Sequence, residues 1–477
     1  MDIKNNNLYW VGGKQTMTEP SNTNPTQKTA VLFSVQTQGV SDEQNASSLL
    51  ELRRLVKTMG LQVVATLTQR RPKPDTATIL GAGKLKELAS YTGGTGVVEV
   101  FRRKSEDNAS DGSDDDSPVN GLNGSDAARA TDGPDARADF VIYDGEISTK
   151  QLQNLEKATG VEVLDRTGVI LEIFSRHAKS REALIQVEIA KLTYLAPRLR
   201  ASRMGADRQG GSIGSKGAGE TAHELDKRRI RDRISELKER LVEIHAEQNR
   251  RRSRRKENFQ VSLVGYTNAG KSSLMRQLTC SDVLVEDKLF ATLDTRVKVL
   301  QPETFPPVLV SDTVGFIKRL PHDLVASFQS TLDEALAASL LLFTVDASDP
   351  DFRSQLEVTR SVLKDIGGEK IPGWLILNKI DKLASPEIEA LQEEFPDAIL
   401  ISAHNPEDVA RLRLRILQLL ESRMIETRMV IPYDKGHLLG QLRTRASILN
   451  ESYGEKGTEV TFKTFPETLT WLQKSMA

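Results

Sequence analysis

Gly265-Tyr266-Thr267-Asn268-Ala269-Gly270-Lys271-Ser272 has the G-x-x-x-x-G-K-[ST] spacing of a phosphate-binding loop. It follows Phe259-Gln-Val-Ser-Leu-Val264, which reads as a buried strand, and it precedes Ser273-Leu-Met-Arg-Gln-Leu278, which reads as a helix. The residue types fit the chemistry. Gly265 and Gly270 let the backbone curl so that successive N–H groups point at phosphate oxygens, and the helix N-terminus adds its positive end. Lys271 can reach the β- and γ-phosphates, and Ser272 can offer a hydroxyl to Mg²⁺. A Gly-rich turn could match this spacing by accident, but the strand before and the helix after favour the functional reading.

Further signatures follow in chain order. Asp312-Thr313-Val314-Gly315 comes after Val308-Leu-Val310; Asp312 can hold Mg²⁺ through water, and the Gly315 N–H can meet the γ-phosphate. Asn378-Lys379-Ile380-Asp381 comes after Trp374-Leu-Ile-Leu377. The Asp381 carboxylate can accept both N–H groups of guanine's N1/N2 edge, a pair that adenine lacks. Asn378 can contact the ring's other edge or brace the phosphate loop, and the Lys379 stem can cover the base. Ser402-Ala403-His404, after Ile401, fits the backbone position that reads guanine O6. Phe290-Ala291-Thr292-Leu293-Asp294 lies where a switch segment would bring Thr292 to Mg²⁺. Each short motif alone is weak; their order and shared strand-end placement make GTP, with Mg²⁺, the expected ligand. Lys271, Thr292, Asp312 and Gly315 are the expected catalytic groups, and Ser272 and Thr292 the metal ligands. Phe316 stands where many P-loop GTPases carry a water-orienting Gln. A phenyl ring cannot orient water by hydrogen bonding, so slow intrinsic hydrolysis that needs a partner is expected.

These loops need strands and helices to hold them. At 477 residues the chain has room for several domains. Its charge is balanced, 65 Lys+Arg against 66 Asp+Glu, so distribution matters more than the mean. One cysteine, Cys280, excludes an internal disulfide framework and fits a reducing compartment. The longest apolar run, Ala337 to Val345, is too short to span a bilayer. Cytoplasmic localisation is expected, with room for peripheral membrane association.

Five regions follow: a disordered leader over 1–28, a small α/β domain over 29–180, a helical hairpin over 181–257, a doubly wound P-loop domain over 258–424 and a small α+β domain over 425–477. In the second, Ala30–Val35, Leu61–Leu67, Phe140–Tyr143 and Val161–Leu164 read as strands of a largely parallel sheet alternating with helices. An acidic stretch over 104–138 interrupts it and reads as a solvated insertion. Gly81-Ala-Gly-Lys84 lacks the spacing of a second phosphate loop and reads as a helix-opening turn.

The first hairpin helix is expected from Arg181 to Leu195, with Leu184, Val187, Leu192 and Leu195 on one flank and Pro197 ending it. The second, from about Thr221 to Arg250, carries Ile230, Ile234, Leu237, Leu241 and Ile244 in a coiled-coil seam. Their connection over 200–220 is long, Gly-rich and basic, with Arg200, Arg203, Arg208 and Lys216 suited to phosphate contacts. Arg228, Arg229, Arg251 and Arg252 extend that basic surface along the second helix, although many such charges merely solvate a helix. In the tail, a strand before Pro432, a helix around Leu438–Leu449, a strand at Thr458–Phe462 and a final helix are expected.

The ordered set of motifs resembles the HflX family of GTPases. Gly265–Ser272, Leu289–Asp294, Asp312–Ile317 and Leu320-Pro-His-Asp-Leu324 look like that family's GTPase domain. Leu164-Asp-Arg-Thr-Gly168, Gln186-Val-Glu188, Gly210-Gly-Ser-Ile-Gly214 and Gly217-Ala-Gly-Glu220 resemble its N-terminal domain and hairpin. Gly217-Ala-Gly replaces the family's usual Gly-Pro-Gly. The resemblance implies a monomeric factor that binds the large ribosomal subunit and its rRNA, is activated there, and splits or rescues stalled or stress-damaged ribosomes. Two alternatives stand beside it: an RNA-remodelling protein using ATP at the N-terminal domain, and a GTP-gated module recruiting a partner through the acidic insertion.

Overall fold

The computed structural model describes residues 27–98, 137–203, 222–255, 258–281, 289–290, 295–318 and 329–476. Most of the expected leader and of the acidic insertion lie outside these residues, as do Arg208, Lys216, Ala291, Thr292, Leu293 and Asp294.

The first domain alternates β1 (Thr29–Gln36), α1 (Asp42–Thr58), β2 (Gln62–Arg70), α2 (Ala82–Ser90), β3 (Phe140–Tyr143), α3 (Thr149–Thr159), β4 (Glu162–Asp165) and α4 (Arg166–His177). Its four strands form a wholly parallel sheet in the order β2-β1-β3-β4. The period-two alternation of β1 divides the core. Ala30 and Leu32 face Leu52, Leu55 and Val56 of α1 and Ile170 and Phe174 of α4, while Val31 and Phe33 face Leu85, Leu88 and Leu155 of α2 and α3. Capping boxes open α1 (Ser41 with Gln44) and α3 (Ser148 with Gln151).

Helix α4 was absent from the sequence expectation. Asp165 caps it, accepting the Gly168 N–H at 2.8 Å, and Val169, Ile170, Ile173 and Phe174 supply its buried stripe. The next helix, α5 (Arg181–Arg203), runs through Pro197 instead of ending there. An interior proline costs about 3 kcal/mol, and the following residue supplies compensation. Arg198 donates to the Tyr194 carbonyl at 2.9 Å and to Asp165 at 2.6 Å, and its guanidinium lies 3.4 Å from the centroid of the Tyr194 ring.

The expected α5 flank is also corrected. Ile185, Ile189 and Leu192 face α6 (Ala222–Arg255), meeting Ile234, Leu237, Leu241 and Ile244, whereas Leu184 is exposed. Ala183, Val187 and Ala190 on another face join the sheet domain's core. Thus α5 belongs to both the hairpin and the sheet domain.

The P-loop domain contains β5 (Phe259–Val264), α7 (Lys271–Thr279), β6 (Arg296–Val299), β7 (Val308–Asp312), α8 (Gln329–Leu336), β8 (Leu340–Asp346), α9 (Phe352–Asp365), β9 (Gly373–Asn378), α10 (Ser385–Glu394), β10 (Ile399–Leu400) and α11 (Pro406–Ser422). Its sheet runs β10-β9-β8-β5-β7-β6, parallel except for the edge strand β6. Strands β5 and β7 are buried at every position, as inner strands covered on both faces must be. The connectivity diverges on either side of β5, which creates a crevice at its carboxyl end.

The last unit is an antiparallel sheet, β11 (Ile425–Ile431), β12 (Ser447–Gly454) and β13 (Gly457–Thr464), with α12 (Gly436–Arg445) and α13 (Pro466–Met476). The helix expected around Leu438–Leu449 ends at Arg445, and its second part is β12. The β12 ladder with β13 claims that segment's backbone hydrogen bonds.

Candidate functional site: a guanine-nucleotide cleft

Strands β5, β7, β9 and β10 deliver the motif loops to one edge of the sheet, where the crevice opens. Gly270 has φ +92°, and a Cβ there would sit 2.2 Å from the Asn378 side-chain nitrogen. Only glycine lets the phosphate loop pass so close to the β9 motif. Lys271 is enclosed and donates to the carbonyl oxygens of Gly265 (3.1 Å) and Tyr266 (2.7 Å). Burial lowers its ammonium to about 8, against the opposing attraction of Asp312. Bound phosphates would favour the charged form.

Ser272 donates to the Asp312 carboxylate at 2.6 Å. A hydroxyl and a carboxylate side by side beneath a phosphate loop are hard oxygen donors that fit Mg²⁺. Held by these two groups, the ion would supply positive charge against the negative charge of the phosphates. Ser273, next along α7, is half-buried. Asp312 ends β7, and the segment after it docks on the phosphate loop. Thr267 N–H donates to the Phe316 carbonyl at 2.9 Å, and Phe316 N–H donates to the Gly265 carbonyl at 3.1 Å. A Cβ at Gly315 would lie 2.8 Å from Thr267 Cα, so this approach also requires glycine. Thr313 turns inward to the Leu263 carbonyl at 2.8 Å and Val314 joins the core, so their side chains serve the scaffold.

The segments after β9 and β10 are linked to the phosphate loop and to each other. Asn378 donates to the Ala269 carbonyl at 2.9 Å and accepts from the Ala403 N–H at 3.0 Å, so it braces the phosphate loop against the last motif. Lys379 adopts φ +65° and donates to the Asn268 carbonyl and to Asp346, both at 2.7 Å. Asp381 accepts from the Ser402 hydroxyl at 2.5 Å, and His404 N–H donates to the same hydroxyl at 3.3 Å. Ile380 packs with the core beside β8 and β9. Asp346 and Asp408, which accepts the Ser402 N–H at 2.8 Å, were missed in the sequence. Both lie outside the short motifs, Asp346 as the last residue of β8.

Asp381→Asn should lower guanine-nucleotide affinity by about 10- to 100-fold, because an amide N–H₂ would face the guanine donors. Titration with fluorescent GDP checks this; unchanged affinity would remove Asp381 from base reading.

Two expected placements need correction or limits. Phe290 does not line the cleft: its ring is buried edge-on to Phe174 of α4, centroids 4.6 Å apart. Among the basic residues assigned to RNA, Arg228 and Arg229 are exposed on α6 and lie 3.9 and 3.7 Å from Asp232 and Asp226. Arg200, Arg203, Arg251 and Arg252 lie in helices α5 and α6. In the N-terminal domain Gly81 opens α2 and Lys84 pairs with Glu87 at 2.8 Å, the arrangement of a helix-opening turn. No group of acidic, His or Cys side chains among the described residues forms a separate metal cluster.

Tyr266 was expected among the nucleotide-binding residues of the phosphate loop. Its side chain points away, donates to Glu51 of α1 and accepts the Lys318 N–H at 2.6 Å. Burial, with the Glu51 carboxylate, holds its phenol well above the usual tyrosine range.

Three family models match the chain. One described as GTP-binding GTPase N-terminal covers residues 46–103 and 127–175, GTP-binding GTPase Middle Region covers 177–255, and 50S ribosome-binding GTPase covers 260–379. The chain is 52% identical to a GTPase HflX of Gluconacetobacter diazotrophicus, across 95% of this chain and 99% of the relative. It is 33% identical to GTPase HflX of Escherichia coli, across 88% and 89% respectively. Among solved structures it resembles a GTP-binding protein from Sulfolobus solfataricus in complex with GDP, with TM-score 0.41, 23% identity, and coverage of 82% of this chain and 98% of that one.

Proposed function

The chain belongs to the HflX family of GTP-hydrolysing enzymes, and from that premise we propose that it binds the large ribosomal subunit and uses GTP to separate stalled or damaged ribosomes. The observation that carries the reading is the hairpin's attachment. Helix α6 has 34 residues, a length of about 50 Å at 1.5 Å per residue. Its partner α5 shares a core with the sheet domain, and that core is continuous with the phosphate-loop side of the P-loop domain. Such an arm can carry a nucleotide-dependent displacement into an RNA particle. The family description naming a 50S ribosome-binding GTPase supports the same partner.

In this reading Arg200 and Arg203 at the end of α5, with Arg208 and Lys216 of the basic stretch that follows, meet rRNA phosphates, and Arg228, Arg229, Arg251 and Arg252 steer the approach. Mg²⁺ accompanies GTP, with Ser272 and Thr292 as its protein ligands. The factor works as a cytoplasmic monomer, and no helix among the described residues is long and apolar enough to cross a membrane. Phe316 leaves hydrolysis slow until ribosome contact orders the switch segments.

The test is GTP turnover with and without large subunits, paired with a sedimentation assay of intact ribosomes. Stimulation by about a hundredfold or more, on the scale of positioned catalytic groups, together with GTP-dependent loss of the intact peak, is the expected result. Turnover indifferent to subunits would overturn the partner, and stimulation without subunit separation would overturn the output.

A further inference from the structure

The Phe316 substitution leaves a question about what positions the segment after Asp312, and the answer lies in a different domain. We propose that Glu51 and Tyr266 are positioning residues for GTP hydrolysis: the N-terminal domain holds Tyr266, and Tyr266 holds the backbone that carries Gly315. The inference rests on GTP hydrolysis at this cleft and is independent of the ribosome.

Tyr266 is the second residue of the phosphate loop, yet its ring is buried among residues of α1, α4 and the segment through Ile317. Its hydroxyl is used twice, accepting the Lys318 N–H at 2.6 Å and donating to Glu51. Glu51 is fixed by Arg166, which donates its other nitrogen to Asp144 at 2.8 Å. The Lys318 contact lies three residues beyond Gly315. Between them, Phe316 forms a parallel bridge with Tyr266, with Thr267 N–H donating to the Phe316 carbonyl and Phe316 N–H to the Gly265 carbonyl. This places Gly315 against Thr267, on the loop where the triphosphate must sit. With no side-chain amide at position 316 to orient water, the position of the Gly315 backbone carries added weight.

Glu51 does not act alone. Ser47, Glu51, Arg54 and Thr58 recur at helical spacing on α1, and each meets the P-loop domain. Ser47 bonds Asp351, Arg54 lies 3.6 Å from Asp349, and Thr58 accepts the Leu289 N–H at 3.4 Å. Lys318 also reaches Asp351, at 3.2 Å. One helix face therefore touches the phosphate loop, the start of the first switch segment and the loop after β8. The α1 face thus registers the N-terminal domain against all three, the phosphate loop among them.

The experiment uses the full chain and four proteins: wild type, Tyr266→Phe, Glu51→Ala and the double variant. Steady-state GTP turnover gives kcat and KM, and fluorescent GDP gives affinity. Tyr266→Phe removes one oxygen from a buried ring and keeps the Glu51–Arg166 pair, so it remains decisive if Glu51→Ala folds poorly. Each single variant should lower kcat by roughly ten- to a hundredfold, the scale of a small misplacement of reacting groups. KM and GDP affinity should stay within about twofold, and the double variant should fall no further than the worse single one, as members of one chain of contacts do. Unchanged or raised kcat in Tyr266→Phe would overturn the proposal, as would multiplicative losses or a loss confined to KM. Absence of turnover in the wild type would instead strike at the hydrolysis it presupposes.

Discussion

Lys271→Ala is expected to cut GTP turnover by about a hundred- to a thousandfold, the cost of losing one preorganised charge at a transferring phosphoryl group. The reason is visible without nucleotide. The ammonium is fully enclosed, and two backbone carbonyls and the Asp312 charge are what offset its burial. Phosphate oxygens would supply the missing negative charge, so the side chain contributes mainly once nucleotide is bound. The ligand-free variant should therefore melt within a few degrees of the wild type, while the stabilisation that GDP gives the wild type should disappear. Turnover at the wild-type rate in Lys271→Ala would mean that hydrolysis occurs elsewhere on the chain.

The cleft was legible because its chemistry is local. Gly265–Ser272, Asp312–Gly315 and Asn378–Asp381 are short stretches that each follow an apolar strand, so their meeting at one sheet edge could be read from the chain. Even there the sequence left Asn378 with two roles, and only the contacts with Ala269 and Ala403 select the brace. What escaped was non-local. Glu51 sits in a helix that the Leu52, Leu55 and Val56 stripe identifies, but its partner Tyr266 is 215 positions away. No periodicity announces such a pair. Helix α4 is a different kind of miss, since Asp165 and the spacing of Val169, Ile170, Ile173 and Phe174 were present to be read. Pro197 misled because a sound local rule gave way to tertiary contacts of Arg198. Phe290 misled because a motif position was taken to imply a ligand contact, while its ring had an apolar partner in Phe174.

The largest effect on stability is expected at Arg166. Its side chain is 3% exposed and stands between Asp144, 2% exposed, and Glu51, 12% exposed. Truncation to alanine would leave two buried carboxylates facing a void, and losing one partner of such a group costs about 3–5 kcal/mol. Lysine should recover only part of this, because one ammonium cannot span two carboxylates as a guanidinium fork does. The cost falls on the joint between domains: Arg166 opens α4, Glu51 lies on α1, and Glu51 in turn receives the Tyr266 hydroxyl from the phosphate loop. Arg166→Ala should therefore lower both the ligand-free melting temperature and kcat, whereas Lys271→Ala lowers turnover and GDP stabilisation but leaves the ligand-free melting temperature within a few degrees of the wild type. Chemical denaturation of Arg166→Ala and Arg166→Lys beside the wild type checks the order. A loss below about 1 kcal/mol in the alanine variant, typical of solvent-exposed pairs, would mean that water reaches these carboxylates. The joint would then be too loose to transmit the position of one domain to the other.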